Sequence, residues 1–186
     1  MPATRAELRA MLDAEGIRYT EDEDYLRASF ATVRYRDRSG ARAIFVALRL
    51  EEDGEYFKLI APNLYWCPSG PTREAFLRAL LGVSWRTKLV QFQYDDEDGE
   101  VRAVVEFPLE DAPLTARQLS RCLNGLVQIV DEYHGAIVAA LREGVVDFSG
   151  VSARLELERQ AAELYAEIGA DRARRRRDRG RLALEE

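Results

Sequence analysis

Side chains that commonly do chemistry are scarce in this chain. Its 186 residues hold one histidine, His134, and two cysteines, Cys67 and Cys122, with no short spacing between them. Two distant thiols form neither a disulfide framework nor a zinc ligand set, and they suit a reducing compartment. Cys67 as a nucleophile would need a base and an orienting group, and no spacing rule connects it to His134. The sequence therefore reads Cys67 as packed in its loop beside Tyr65 and Trp66, and His134 as a half-buried, hydrogen-bonded ring beside Tyr133. No metal and no cofactor are implied.

Long hydrophobic runs are missing as well. No unbroken apolar run exceeds Ala43 to Leu48, far too short to span a bilayer. The start, "MPATRAELRAMLDAEG", is charged throughout and has no apolar signal core, which predicts no export and a place in the cytoplasm. What the chain does have is apolar residues at 47%, enough for a real core in one domain of ordinary size plus an appendage.

Charge is unevenly placed. Seven arginines fall between Arg172 and Arg181, against four acids from Asp171 onward, so the tail is at +3 within a net charge of -6. The body up to Ala170 is left with 20 basic and 29 acidic residues, a net of -9, which repels nucleic acid and favours neutral or basic partners.

The densest acidic stretch, "YDDEDGE" from Tyr94 to Glu100, suggests a calcium loop until the positions are counted. With Gly99 at the sixth position, the first falls on Tyr94 and the twelfth on Val105, neither a ligand for a hard cation. Val90, Phe92 and Tyr94 alternate with glutamines before it, and Val101, Ala103, Val105 and Phe107 alternate with polar residues after it. The spacing predicts a β-hairpin whose Asp-Gly tip supplies the positive φ of a tight turn.

Elsewhere Thr4 and Glu7 form a capping-box pattern opening a short helix that Gly16 closes, with Leu8, Met11 and Leu12 as its inner stripe. The acidic joint "TEDED" follows, then strands over Tyr25 to Arg36, Ala41 to Leu50 and Tyr56 to Ala61. In the middle strand Ile44, Val46 and Leu48 mark one face, yet Ala43, Phe45 and Ala47 on the other are also apolar, so something is expected to cover both faces. The three prolines of "APNLYWCPSGP" predict irregular chain. A helix from Thr72 to about Val83 carries Phe76, Leu77, Leu80 and Leu81, a surface wide enough to suggest a second contact. The longest helix, Thr115 to about Glu143, keeps an apolar stripe from Leu119 to Leu141 that includes Cys122, a small buried hydrophobe.

The order α-β-β-β-α-β-β-α gives an α+β class with a small antiparallel sheet in residues 1–146, followed by a helical extension over 147–186. In that extension Leu157, Leu164, Tyr165 and Ile168 recur at helical spacing, and Arg174, Arg175, Arg176 and Arg177 form the core of the basic block.

The stretches "FLRALLGVSWR", "VQFQYDDEDGEVRAVVEFPLEDAPLT" and "LVQIVDEYHGAIVAALREG", within residues 76–144, resemble the bacterial YbjN-like family. Asp131 matches the acid of that family's "DEY", whereas Ser84 stands where such proteins often carry asparagine. The resemblance implies a fold similar to the class I chaperones of type III secretion, usually homodimeric and binding a segment of another protein, and it brings no catalytic residues. The expected function is a non-enzymatic chaperone-like or adaptor homodimer. Its candidate dimer interface is Phe76, Leu77, Leu80, Leu81 and Phe45, its candidate client-binding arm Leu157, Leu164, Tyr165 and Ile168, and its client basic or neutral, a DNA-handling protein being one kind. The alternative is a nucleic-acid contact through Arg174 to Arg177, and an enzyme using Cys67 or His134 ranks last.

Overall fold

A computed structural model of the protein describes residues 2–110 and 112–151. The chain divides into two units, Met1–Val146 and Asp147–Glu186.

In the first unit, helix α1 (Arg5–Ala14) starts at the expected capping box: Thr4 Oγ1 accepts from Glu7 N, and the Glu7 carboxylate accepts from Thr4 N at 2.8 Å. Leu8 and Leu12 are buried, and Gly16 turns the chain away at φ 67°. Six strands follow: β1 (Tyr19–Glu21), β2 (Leu26–Ala31), β3 (Ala43–Glu51), β4 (Tyr56–Trp66), β5 (Gln91–Tyr94) and β6 (Glu100–Pro108). They form one antiparallel sheet in the order β1-β2-β3-β4-β6-β5. Helix α2 (Arg73–Arg86) lies between β4 and β5, and helix α3 (Ala116–Glu143) follows β6. The architecture is α+β, as the sequence predicts, with one strand more than expected.

The extra strand, β1, comes out of the supposed acidic joint. Tyr19 pairs with Ala28 and Glu21 with Leu26, while the Arg5 guanidinium donates to the carbonyls of Asp22, Glu23 and Tyr25 and holds the turn closed. β2 is shorter than expected and ends at Ala31. Beyond it the backbone N–H groups of Val33, Arg34 and Tyr35 all donate to the carboxylate of Asp131 on α3, which replaces a ladder partner.

β4 is longer than expected, running through Pro62 to Trp66 instead of breaking at the proline. Pairing with β3 reaches no farther than Ile60, so the N–H that Pro62 lacks is not needed on that side. On the β6 side the register shifts between Ala61 and Tyr65. In this bulge Asn63 takes φ 56° and its N–H donates to the Glu100 carboxylate at 2.7 Å.

The hairpin is as predicted. Gly99 stands at φ 83°, and Asp95 and Asp98 accept from the N–H groups of Glu97 and Glu100, so two of the acids fasten the turn. α3 opens on a second capping box, Thr115 with Gln118, and closes on Gly144 in the left-handed region.

Alternation along the strands gives the sheet two unlike faces. Leu26, Leu48, Leu59 and Val105 lie side by side across four strands on the first, all buried, with Ala28, Val46, Phe57 and Ala103 around them. α1, α2 and α3 lie on this face. Leu8 of α1 shares a recess with Leu48 and Leu50, while Phe76 of α2 and His134 of α3 meet the Tyr65 ring, which stands opposite Val101. The second face carries Arg27, Phe45, Ala47, Arg49, Lys58, Ile60, Arg102 and Glu106.

In the second unit, residues 147–151 are described. The Asp147 carboxylate accepts from the N–H and hydroxyl of Ser149 and begins a helical turn.

Candidate functional site

α2 ends three residues later than the sequence predicts because its end is tied from within. Ser84 Oγ donates to the carbonyl of Leu80, Arg86 to that of Gly82 and Thr87 Oγ1 to that of Val83. The extension adds Trp85 to the helix, which changes the expected dimer patch. Phe76 and Leu80 face inward with Ala79 and Val83 and are buried, so they are core residues and cannot meet a partner. Leu77 is half-buried, while Leu81 and Trp85 stand 70% and 88% exposed. Four-residue spacing puts Leu77, Leu81 and Trp85 in one row along the helix.

Leu89, 54% exposed, follows at the same spacing just beyond the helix end. Its backbone is in the left-handed region at φ 72°, and the N–H of Val90 donates across it to the carbonyl of Lys88 at 2.9 Å. A γ-turn of this hand is strained for leucine, and such strain concentrates at functional positions.

The second sheet face forms a groove of about 500 Å³ between Tyr25, Phe45, Ala47, Ile60 and the Pro62–Leu64 bulge. Phe45 is 43% exposed, and the Arg27 guanidinium lies over its ring at 4.3 Å. Arg49 and Arg102 also line the groove, with Asp37 as the one acid of the lining. Beside it runs a polar chain: Lys58 pairs with Glu106 at 2.9 Å, Gln93 donates to Glu106, and Arg102 Nε donates to Gln93 at 3.0 Å. Sequence reasoning found Phe45 here and missed the arginines, although strand alternation continues from Phe45 through Ala47 to Arg49.

Behind the sheet's other face is a buried polar cluster. Burial would raise the Asp131 carboxyl, but the N–H groups of Tyr35, Arg34 and Val33 and the Arg34 charge outweigh it and hold the group below the usual carboxylate range. One turn along α3, His134 Nδ1 shares a 3.1 Å hydrogen bond with the Tyr65 hydroxyl, and the Tyr35 ring meets the imidazole edge-on at 5.2 Å. Burial lowers His134 and wins over the Asp131 charge, so the ring is neutral near pH 7. Burial also pushes Tyr35 up to about 12 and Tyr65 well above its ordinary value. These phenols remain protonated and act as hydrogen-bonding core groups.

Cys67 is placed apart from this cluster. Its N–H donates to the carbonyl of Gly99 at 2.8 Å, its Sγ contacts the carbonyl of Pro68, and burial raises its thiol, the wrong direction for a nucleophile. Cys122 is buried in the α3 stripe and is likewise raised by burial. The arm residues Leu157, Leu164, Tyr165 and Ile168 and the basic residues Arg174 to Arg177 lie outside the described residues.

No family model matches the chain, and no curated protein does. Among solved structures the chain is similar in fold to YbjN of E. coli, at a TM-score of 0.48 and 14% identity over 71% of this chain and 92% of that one. It is also similar to the HopA1–SchA chaperone–effector complex, at 0.45 and 14% over 67% of this chain and 87% of that one. A third likeness is to the heterodimeric ExoU–SpcU complex of the type III secretion system of Pseudomonas aeruginosa, at 0.45 and 20% over 72% and 97%.

Proposed function

We propose that the protein is a chaperone-like adaptor with no enzymatic activity of its own, a homodimer joined along the Leu77, Leu81, Trp85 and Leu89 row that holds a segment of a client protein. The observation that carries this is the exposure of Leu81 and Trp85 in one row on α2, with Leu89 exposed just beyond the helix end. Scattered surface leucines need no explanation, but a contiguous apolar row ending in a tryptophan does, and tryptophan dominates interface energetics. A helix row is self-complementary when two copies pack about a two-fold axis, which makes a second copy its natural cover.

With the α2 row given to the dimer, the groove on the second sheet face is left for a client. The described residues contain no helix long and apolar enough to cross a membrane, and this reading places the adaptor in the cytoplasm. A nucleic-acid contact through Arg174 to Arg177 rests on the basic block alone and ranks second.

Light scattering at micromolar concentration tests the dimer, and the full chain should weigh as two copies. Leu81→Glu and Trp85→Glu should each give a monomer with the melting temperature of the parent monomer state, since a charge forced into a desolvated contact costs about 3–5 kcal/mol. A wild-type monomer at that concentration rejects the dimer. For the client, affinity capture with wild-type and Phe45→Asp proteins side by side should return a partner that only the wild type retains. The double change Leu164→Asp with Ile168→Asp shows in the same assay whether the arm contributes.

A further inference from the structure

The groove on the second sheet face has a charge opposite to that of the protein as a whole. The body up to Ala170 is at -9, yet the lining brings together Arg27, Arg49 and Arg102 with Asp37 as its only acid. Of the three, only Arg49 makes an ion pair among the described residues. It meets Glu51 at 3.7 Å with both side chains partly exposed, and Arg102 Nε is engaged with the neutral Gln93. Arg27 rests on the Phe45 ring, its charge felt by Asp22. The Nε of Arg49 is buried and has no hydrogen-bond partner, a donor that ordinary cores do not leave unused.

The apolar groups of the groove form one patch with these cations at its edges. In register, Arg27 stands opposite Ala47, which stands opposite Ile60, while Phe45 and Arg49 flank Ala47 on the same strand and the same face. A ligand complementary to this surface needs an apolar centre flanked by anions. Asn63, held at positive φ in the bulge, adds an amide at the groove's end that can bond a backbone group.

We propose that the groove is the docking site for an extended segment of the client whose groove-facing positions, every second residue, carry leucine-like side chains flanked by acidic ones. Carboxylates meet Arg27, Arg49 and Arg102, and the apolar side chains settle on Phe45, Ala47 and Ile60. Guanidinium groups suit this use because each can hold a carboxylate through two parallel hydrogen bonds. The proposal rests on the adaptor reading and specifies the chemistry of its client: the docking segment is acidic, even where long-range steering by the acidic body favours a client that is neutral or basic elsewhere.

The test uses the full-length protein and fluorescein-labelled peptides read by anisotropy. One peptide, Leu–Glu, carries Glu, Leu, Leu and Glu at every second position with serine between; a second, Leu–Lys, has Lys in place of Glu; and a single-stranded oligonucleotide is the third probe. The Leu–Glu peptide should bind, weaken about tenfold or more in the Arg27→Gln, Arg49→Gln double variant, and weaken severalfold between about 0.05 and 0.3 M salt. The salt series on the wild type needs no variant, so it decides the matter even if the double variant folds poorly.

Equal binding to wild type and double variant, or no weakening with salt, overturns the proposal. Tighter binding of the oligonucleotide overturns it too and moves the groove to nucleic acid. Binding of the Leu–Lys peptide instead, lost in Phe45→Asp, overturns the acidic assignment and leaves the adaptor reading standing. If neither peptide binds, the assignment fails, while the capture experiment above decides the adaptor reading independently.

Discussion

The two faces of the sheet are built from the same strands and differ in almost every physical property. β3 sends Ile44, Val46 and Leu48 to one face, where all are buried, and Phe45, Ala47 and Arg49 to the other, where none is. Helices cover the first face, and its side chains are the fold's main source of hydrophobic stabilisation. The second face adds the buried Val104 beside Ile60 to the core, and it is where arginines, a stacked aromatic and a bulge are gathered. A sheet stabilised from one side leaves the other available for recognition.

The largest expected effect breaks the first face. Leu59→Ala removes a fully buried side chain and should cost about 2–5 kcal/mol in urea denaturation, whereas Ile60→Ala, one residue on but on the second face, should cost less than half as much. Equal losses would mean that the second face is as fully covered as the first.

A smaller effect should come from Asp131, which serves the covered side. Asp131→Asn weakens the bonds from Val33, Arg34 and Tyr35 and should cost about 1–3 kcal/mol. The folded carboxyl lies below its ordinary 3.8, so the unfolded chain binds protons more readily. Its contribution is therefore present above that value and is lost as the pH falls through the folded-state pKa. Wild type and Asp131→Asn should converge in stability there, and melting curves recorded from pH 6 downward check it. A constant gap between the two proteins over that range would reject the role given to the charge.

The smallest effect belongs to the second face. Phe45→Ser should change stability by less than about 1 kcal/mol in the same denaturation assay, while weakening the Leu–Glu peptide. A larger stability loss would show that Phe45 is a core residue after all.

What the sequence made legible was local. Both helix openings, the Gly99 turn and the long apolar stripe of α3 depend on neighbours within a few residues, and each is found where its pattern lies. The differences in β2 and β4 have distant causes, whereas the longer end of α2 is tied by bonds four residues apart. β2 stops early because Asp131, nearly a hundred residues on, takes its amides, and β4 survives Pro62 because Glu100 supports the bulge. Of the binding surfaces, Leu81 and Phe45 were readable from periodicity. Trp85 was not, because the helix was ended at Val83, although the four-residue spacing from Leu77 through Leu81 already pointed to it.

Asp131 also bears on how the molecule assembles and how long it lasts. Its bond to Val33 spans 98 positions of chain, against three for each capping box, so it closes only after β2 and α3 have met. A contact made after the transition state adds nothing to the rate of folding and acts on the rate of escape from the native state. Stopped-flow traces of Asp131→Asn should show faster unfolding with refolding unchanged, and slowed refolding would place the contact in the nucleus instead. The carboxylate is thus a latch: it governs the lifetime of the open sheet face as a presentable surface.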